Sequence, residues 1–244
     1  MSNDRDNRDP LRTIRLMWDP PPAGSRGPKA RLTVAEIVAA AISLADESGT
    51  EALSMRQVAR TLDCGTMSLY TYISSKAELL ELMIDHVHGE ISPPDEELDG
   101  RGQLFALALQ QLYLYQRHPW ILQSNLVRLA LGPRYLDAAE LQLQALERLG
   151  LSPEDIFQSS LALNSYVHGA ARSLLLDDQA HRDAGVNRST FEAARDSFWE
   201  RYFDLERYPA HTRLWTFGGM KDRRVPFEFG LNRLLDGIES LRGS

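Results

Sequence analysis

The sequence predicts an all-α protein in two parts, an N-terminal helix-turn-helix unit followed by a larger helical body. Apolar residues recur at spacings of three and four along most of the chain, and alternation of period two is not sustained anywhere. Ser or Thr followed three residues later by Glu or Gln opens several of the predicted helices, a pattern that satisfies the free amides of a helix start. The length of 244 residues suits two domains, at about 100–200 residues each.

Residues 1–30 read as a flexible N-terminal arm, because "DPPPAGSRGPKAR" places three consecutive prolines beside glycines. Leu16, Met17 and Trp18 are available to dock locally. Residues 31–91 form the first folded unit. "TVAE" at 33–36 is a capping box, and Ile37, Ala41, Leu44 and Ala45 make one apolar stripe up to Gly49. "SMRQ" at 54–57 opens a second helix with Met55, Val58, Ala59 and Leu62 inward. After a turn at residues 63–65 comes a short third helix, and "SKAE" at 75–78 opens a fourth that buries Leu79, Leu80, Met83, Ile84 and Val87. Short helix, tight turn, short helix is the helix-turn-helix arrangement.

Residues 92–244 read as a helical regulatory and dimerisation domain. Helices are predicted from Leu104 to Arg117, from Pro133 to Leu149, from Glu154 to about Leu176, after "STFE" at 189–192, and from Pro226 to Leu241. The stretch from Leu205 to Arg224, with Pro209, Gly218 and Gly219, reads as an irregular loop.

The net charge of −7 argues at first against a nucleic-acid partner, but it is unevenly spread. From Arg26 to Lys76, six bases and five acids leave a balance of +1, against −8 for the rest. Local charge is what a binding face presents. The stretch "GTMSLYTYISSKAELL", residues 65–80, has no carboxylate between Asp63 and Glu78 and is dense in hydroxyls and phenols. With Leu69 and Ile73 inward, Thr66, Ser68, Tyr70, Thr71 and Tyr72 face out. These are side chains suited to phosphate oxygens and base edges, and Met67 is placed for a thymine methyl. Lys76 lies in the first turn of the fourth helix, where the dipole disfavours a cation and a phosphate would satisfy both the lysine and the free amides.

Over residues 31–91 the sequence resembles the tetracycline-repressor family of bacterial regulators, most specifically in "SLYTYISSKAELL". The resemblance implies DNA contacts at Arg56, Thr66, Met67, Ser68, Tyr70, Thr71 and Tyr72, with Lys76 as the phosphate-binding lysine. Asp63 departs from the family's glycine in the turn, and Asp tolerates the left-handed conformation better than most residues. Residues 101–244 resemble the family's C-terminal domain more loosely, through "LGPRYLDAAELQLQALERLGLSPEDIF" and "FEFGLNRLLDGIESL". The family implies a homodimer built from the last long helices and a small-molecule pocket in each subunit. The reading is therefore a ligand-released repressor on a palindromic operator, with no catalytic, metal or cofactor site. The alternatives are an all-helical enzyme or carrier that contains such a unit, and a family member that activates or senses no ligand.

The helix at 154–176 is apolar nearly all round, which suits burial on more than one side and pairing in a four-helix dimer bundle. It also carries Ser160, Asn164, His168 and Arg172 at intervals of four. Asn164 and His168 are pocket candidates, as are Tyr113, His118 and Trp120; a dimer-interface bond or a structural network remains open for the stripe. His86 and His88 are two positions apart, about 200° round a helix, and do not converge on one ion. Cys64, the one cysteine, reads as a small apolar filler and suits a reducing cytoplasm. No apolar run approaches the roughly 20 residues that cross a bilayer, and no secretory signal is visible.

Overall fold

The computed structural model describes residues 10–19, 32–123, 131–183, 197–198, 201–216 and 227–242, and all regular structure among them is helical. The helix at Pro10–Trp18 (α1) corrects the expectation of an irregular arm for those residues. Nine residues are too few for a helix to stand alone in water, so tertiary contact must hold it. Leu16 and Met17 pack on the main core, and α1 lies against the helix at Lys76–His88. Residues 1–9 and 20–31 lie outside the described residues.

The Thr33–Glu36 box forms in both directions, with the Glu36 amide 3.1 Å from Thr33 Oγ1 and the Thr33 amide 2.8 Å from Glu36 Oε2. It starts α2 (Val34–Ala52), which buries Ile37, Val38, Ala41 and Ala45. Gly49 breaks the helical path at φ +75°, a conformation that glycine adopts without strain. Ser54 caps α3 (Met55–Thr61), and the turn passes through Asp63 at φ +49°. The short helix α4 (Thr66–Tyr72) follows. Ser75 Oγ then accepts the Glu78 amide at 3.1 Å to start α5 (Lys76–His88).

In the second part, Asp99 caps α6 (Gly100–Arg117), four residues ahead of its predicted start. A single turn, α7 (Trp120–Gln123), follows. Next come α8 (Pro133–Glu147) and the long α9 (Pro153–Asp183), the latter opened by Ser152. The segment expected to be an irregular loop contains α10 (Pro209–Thr216). Pro209 is well placed in a first helical turn, and Tyr208 and His211 pack around the Phe203 ring, contacts that sequence spacing did not reveal. The chain's last described helix is α11 (Phe227–Glu239). Of the helix expected after residues 189–192, only residues 197–198 and 201 are among the described residues, and these are helical.

Helix α5 occupies the middle of the molecule, packed on α2 on one side and α8 on the other. Helix α6 packs on α8 and α9, and α11 on α9 and α6. The buried apolar residues, from Ile37 in α2 to Ile238 in α11, form one contiguous core. The two parts therefore share an interior, and a change in one has a packed route to the other.

Candidate nucleic-acid interface and internal cavity

Helix α4 is held by Leu69 and Ile73, both fully buried, and its opposite face is open. Met67 at 78% and Tyr70 at 43% relative exposure stand out from it, with Ser68 and Thr71 exposed beside them. Thr66 is half-buried. Two of the predicted contacts are less free than the sequence implies. The Thr71 hydroxyl donates to the Ser68 carbonyl at 2.6 Å, and the Tyr72 ring is half-buried against the core. Arg56 is exposed on α3.

Lys76 is not waiting in solvent. Its Nζ donates to the Thr50 carbonyl at 2.5 Å, tying the start of α5 to the end of α2 just past the Gly49 break. An ammonium has three donors, so two remain for a phosphate.

The carboxylate that follows this face in the chain, Glu78, is turned inward and buried. Its Oε2 accepts the Ser74 amide at 2.5 Å, the Ser74 hydroxyl at 2.7 Å and Arg12 Nη1 at 2.7 Å. The return bond expected within "SKAE" thus goes one residue further back, and an arginine from α1 neutralises the charge. Arg12 Nη2 also donates to the Tyr72 carbonyl, at the C-terminal end of α4, at 3.1 Å. Sequence spacing gave no sign of Arg12, because its partners lie 60 and 66 residues away.

Below this surface α5, α6, α8 and α9 line a partly open cavity of about 550 Å³. Asn164 and His168 line it. His88, Tyr115, Tyr135 and Gln142 line it too, and among the described residues its wall holds no Asp, Glu, Lys or Arg. The polar groups are set by one another. Gln142 donates to Asn164 Oδ1 at 3.2 Å and accepts from Ser160 Oγ at 3.1 Å. Gln111 donates to the Tyr115 hydroxyl oxygen at 3.1 Å, which leaves that hydroxyl's proton free to donate.

His88 Nδ1 donates to the Ile84 carbonyl at 2.7 Å, so its Nε2 is an acceptor in the neutral ring. Burial pushes the His88 imidazole below its ordinary value and the Tyr115 phenol above its own. Both groups are uncharged at neutral pH. His88 meets Tyr135 edge-to-face at 5.0 Å between centroids, and His168 meets Tyr115 at 6.0 Å. Cavities with apolar walls and a few placed polar groups are what small-molecule sites look like.

Three sequence candidates do not line this cavity. Tyr113 is 56% exposed on α6. His118 and Trp120 are buried in a separate cluster that joins the two parts of the molecule. His118 Nδ1 lies 2.7 Å from Asp46 Oδ1 of α2, its Nε2 lies 3.0 Å from Glu90 Oε1, and Trp120 Nε1 donates to the same Asp46 oxygen at 2.7 Å. His86 accepts from Arg134 at 2.7 Å while His88 lines the cavity, so the two imidazoles diverge as their spacing required. Cys64 is half-buried against the core.

Comparison with known proteins matches this arrangement. Residues 37–83 fit the family described as bacterial regulatory proteins, tetR family, and residues 92–242 fit the tetracyclin repressor-like C-terminal domain. The chain belongs to the tetracycline-repressor family. It is 42% identical over 237 residues to the HTH-type transcriptional repressor DrrR1 of Streptomyces coeruleorubidus, covering 96% of this chain and 87% of that protein. The tetracycline repressor protein class E of Escherichia coli is 24% identical over 220 residues, covering 86% of this chain and 92% of that one. Among solved structures, ActR of Streptomyces coelicolor in complex with actinorhodin superposes with a TM-score of 0.74 at 24% identity, over 88% of this chain and 99% of ActR. A second TetR-type regulator from that organism gives 0.69 at 26% identity, over 87% of this chain and 100% of that one. The chain is thus a transcriptional regulator of that family rather than an enzyme. Its DNA-binding role is inferred from the family. No described helix is long and apolar enough to cross a membrane.

Proposed function

We propose that this chain acts in the cytoplasm as a homodimeric repressor. Its α4 helices read a palindromic operator, and it releases that operator when a neutral, mainly apolar molecule enters the cavity between α5, α6, α8 and α9. One observation carries the coupling: α5 serves both sites. Its first turn holds Lys76 and Glu78 next to α4, and its last turns place Ile84 and His88 on the cavity wall. Twelve residues of α-helix separate Lys76 from His88, about 18 Å at 1.5 Å per residue. A ligand that shifts the cavity end of α5 moves the reading end with it.

In this reading Arg56, Thr66, Met67, Ser68 and Tyr70 contact DNA, Thr71 and Tyr72 chiefly shape the helix, and Lys76 meets phosphate. Asn164 and His168 are joined in the effector site by His88 and Tyr115. The uncharged wall favours a neutral effector, because a charge buried there would have no partner. The solved structures of ActR with actinorhodin and of a TetR from Acinetobacter baumannii with minocycline make those two compounds the first to try.

The test is a mobility-shift titration on duplex DNA from upstream of the chain's own gene, with actinorhodin, minocycline and a panel of neutral and charged small molecules. A specific shift, relieved by a neutral compound, is expected. Release needs only about 1.4–2.8 kcal/mol of coupling for a tenfold to hundredfold loss of affinity. By reciprocity, calorimetry must then find the releasing compound bound more weakly to the operator complex by the same factor. Equal affinity in both titrations would remove the mechanism, and unchanged affinity in Asn164→Ala and His168→Ala would remove the site.

A further inference from the structure

Helix α1 lies ahead of the residues matched to the family, and its two ends hold two different parts of the molecule. At one end Arg12 donates to the Tyr72 carbonyl at 3.1 Å and to Glu78 Oε2 at 2.7 Å, and Thr13, buried, sits 3.5 Å from Glu78 Oε1. These partners are the C-terminal end of α4 and the first turn of α5. At the other end Trp18 Nε1 donates to the Leu131 carbonyl at 2.7 Å. Leu131 immediately precedes Gly132, the N-cap of α8, and α8 carries Tyr135 and Gln142 on the cavity wall. The Trp18 ring is itself 54% exposed, so this one hydrogen bond, more than burial, fixes where its indole N–H points.

From these contacts we infer that α1 is a strap, with Arg12 and Trp18 as positioning residues that join the start of the cavity-lining helix α8 to the end of the DNA-reading helix α4. The inference rests on reading α4 as the DNA-contacting helix. Six residues separate Arg12 from Trp18, about 9 Å of rigid helix. The connection reaches α4 from the start of α8 by a second route beside α5, whose first turn it also grips through Glu78. It acts at the C-terminal end of α4, where a helix runs out of backbone donors for its last carbonyls and a guanidinium bound to the Tyr72 carbonyl fixes the orientation of a seven-residue helix. Arg12 also holds the Glu78 carboxylate against the Ser74 amide, which fixes the turn between α4 and α5.

The decisive variant is Trp18→Phe, which keeps an aromatic ring at this largely exposed position and removes the N–H together with the pyrrole part of the indole. Its partner lies 113 residues away and is not on the reading helix. Two readouts are taken on the full-length protein beside Arg12→Ala and Arg12→Lys: hydrogen exchange at the Ser74 and Ile73 amides, and affinity for the operator fragment against a random duplex over a salt series. Both Trp18→Phe and Arg12→Ala should speed Ser74 exchange at least fivefold with the melting temperature little changed. Both should lower operator affinity about tenfold while leaving random-duplex affinity and the salt slope as in wild type, and Arg12→Lys should recover part of the loss. Trp18→Phe that matches wild type in both readouts would overturn the strap, even if Arg12→Ala is impaired. A salt slope reduced by about one unit in Arg12→Ala would instead make Arg12 a direct phosphate contact and also overturn it. Should wild type show no operator binding, the reading of α4 fails, while the exchange rates still decide whether α1 joins α8 to the α4–α5 turn.

Discussion

Asp85 of α5 caps α8: its Oδ1 accepts the Tyr135 amide at 3.0 Å, across the interface where the two helices pack. The carboxylate fits because residue 132 is glycine; a Cβ there would stand 2.0 Å from Asp85 Oδ1. The buried acid thus satisfies a helix start that no local side chain caps, and it fixes α8 relative to α5 at the cavity. Gly132→Ala is expected to destabilise by about 1–3 kcal/mol, the usual range for overpacking. Asp85→Ala is expected to cost about 1–2 kcal/mol through the lost cap. Gly237→Ala, whose Cβ would meet nothing within 4 Å, should be neutral or stabilising. Thermal melts of the three variants check this, and Gly132→Ala as stable as Gly237→Ala would refute the close approach.

On the DNA face, Tyr70→Ala should weaken operator binding with helix content intact, because the ring is exposed and α4 is held by Leu69 and Ile73. Lys76→Ala should weaken all duplexes alike and lower the salt slope by about one unit. The lysine also ties α5 to the Thr50 carbonyl, so a modest drop in melting temperature accompanies it. Wild-type binding by both variants would place the docking surface elsewhere.

A homodimer is expected from α9 and α11, which leave Phe157, Leu161, Leu176 and Phe229 exposed. Obligate interfaces commonly bury more than about 2,000 Å². Within the subunit these helices are locked together, with Tyr166 donating to the Phe227 carbonyl at 2.8 Å and Gly230 leaving room for the Tyr166 hydroxyl. Sedimentation should show a dimer for wild type at micromolar concentration and a monomer for Phe157→Asp combined with Phe229→Asp. A monomeric wild type would contradict the proposal.

Stability should fall as pH drops below about 6.5, the ordinary imidazole value. Burial lowers the folded-state value of His88, so between that value and 6.5 the unfolded chain binds more protons than the folded one. Stability therefore decreases with falling pH across that window and levels off below it. The half-buried His86, lowered first by burial and then by Arg134, acts in the same direction. Denaturant unfolding from pH 7.5 to 5 should show a smaller slope in His88→Gln than in wild type; identical slopes would mean that His88 is not the titrating group.

The sequence by itself determined the helical class, the helix-turn-helix and the family, because their signals are local. Thr33 and Glu36 meet within one turn, Leu69 and Ile73 share a face by spacing alone, and Asp63 adopts the left-handed turn its side chain tolerates. Asn164 and His168 were legible as a polar stripe on an apolar helix, and both reach the cavity. Only the tertiary structure decided which polar groups share that cavity. His118 and Trp120 read as pocket residues by type, yet Asp46, more than 70 residues away in sequence, draws both into a cluster between the two parts. In the sequence His88 figures only as half of a metal pair with His86, and Tyr115 not at all; packing of α8 and α9 is what brings both to the cavity. Helix α1 was unreadable for the same reason. Nine residues have too little intrinsic stability to announce a helix, and what orders these is Glu78 and Leu131, contacts that exist only once the chain has folded.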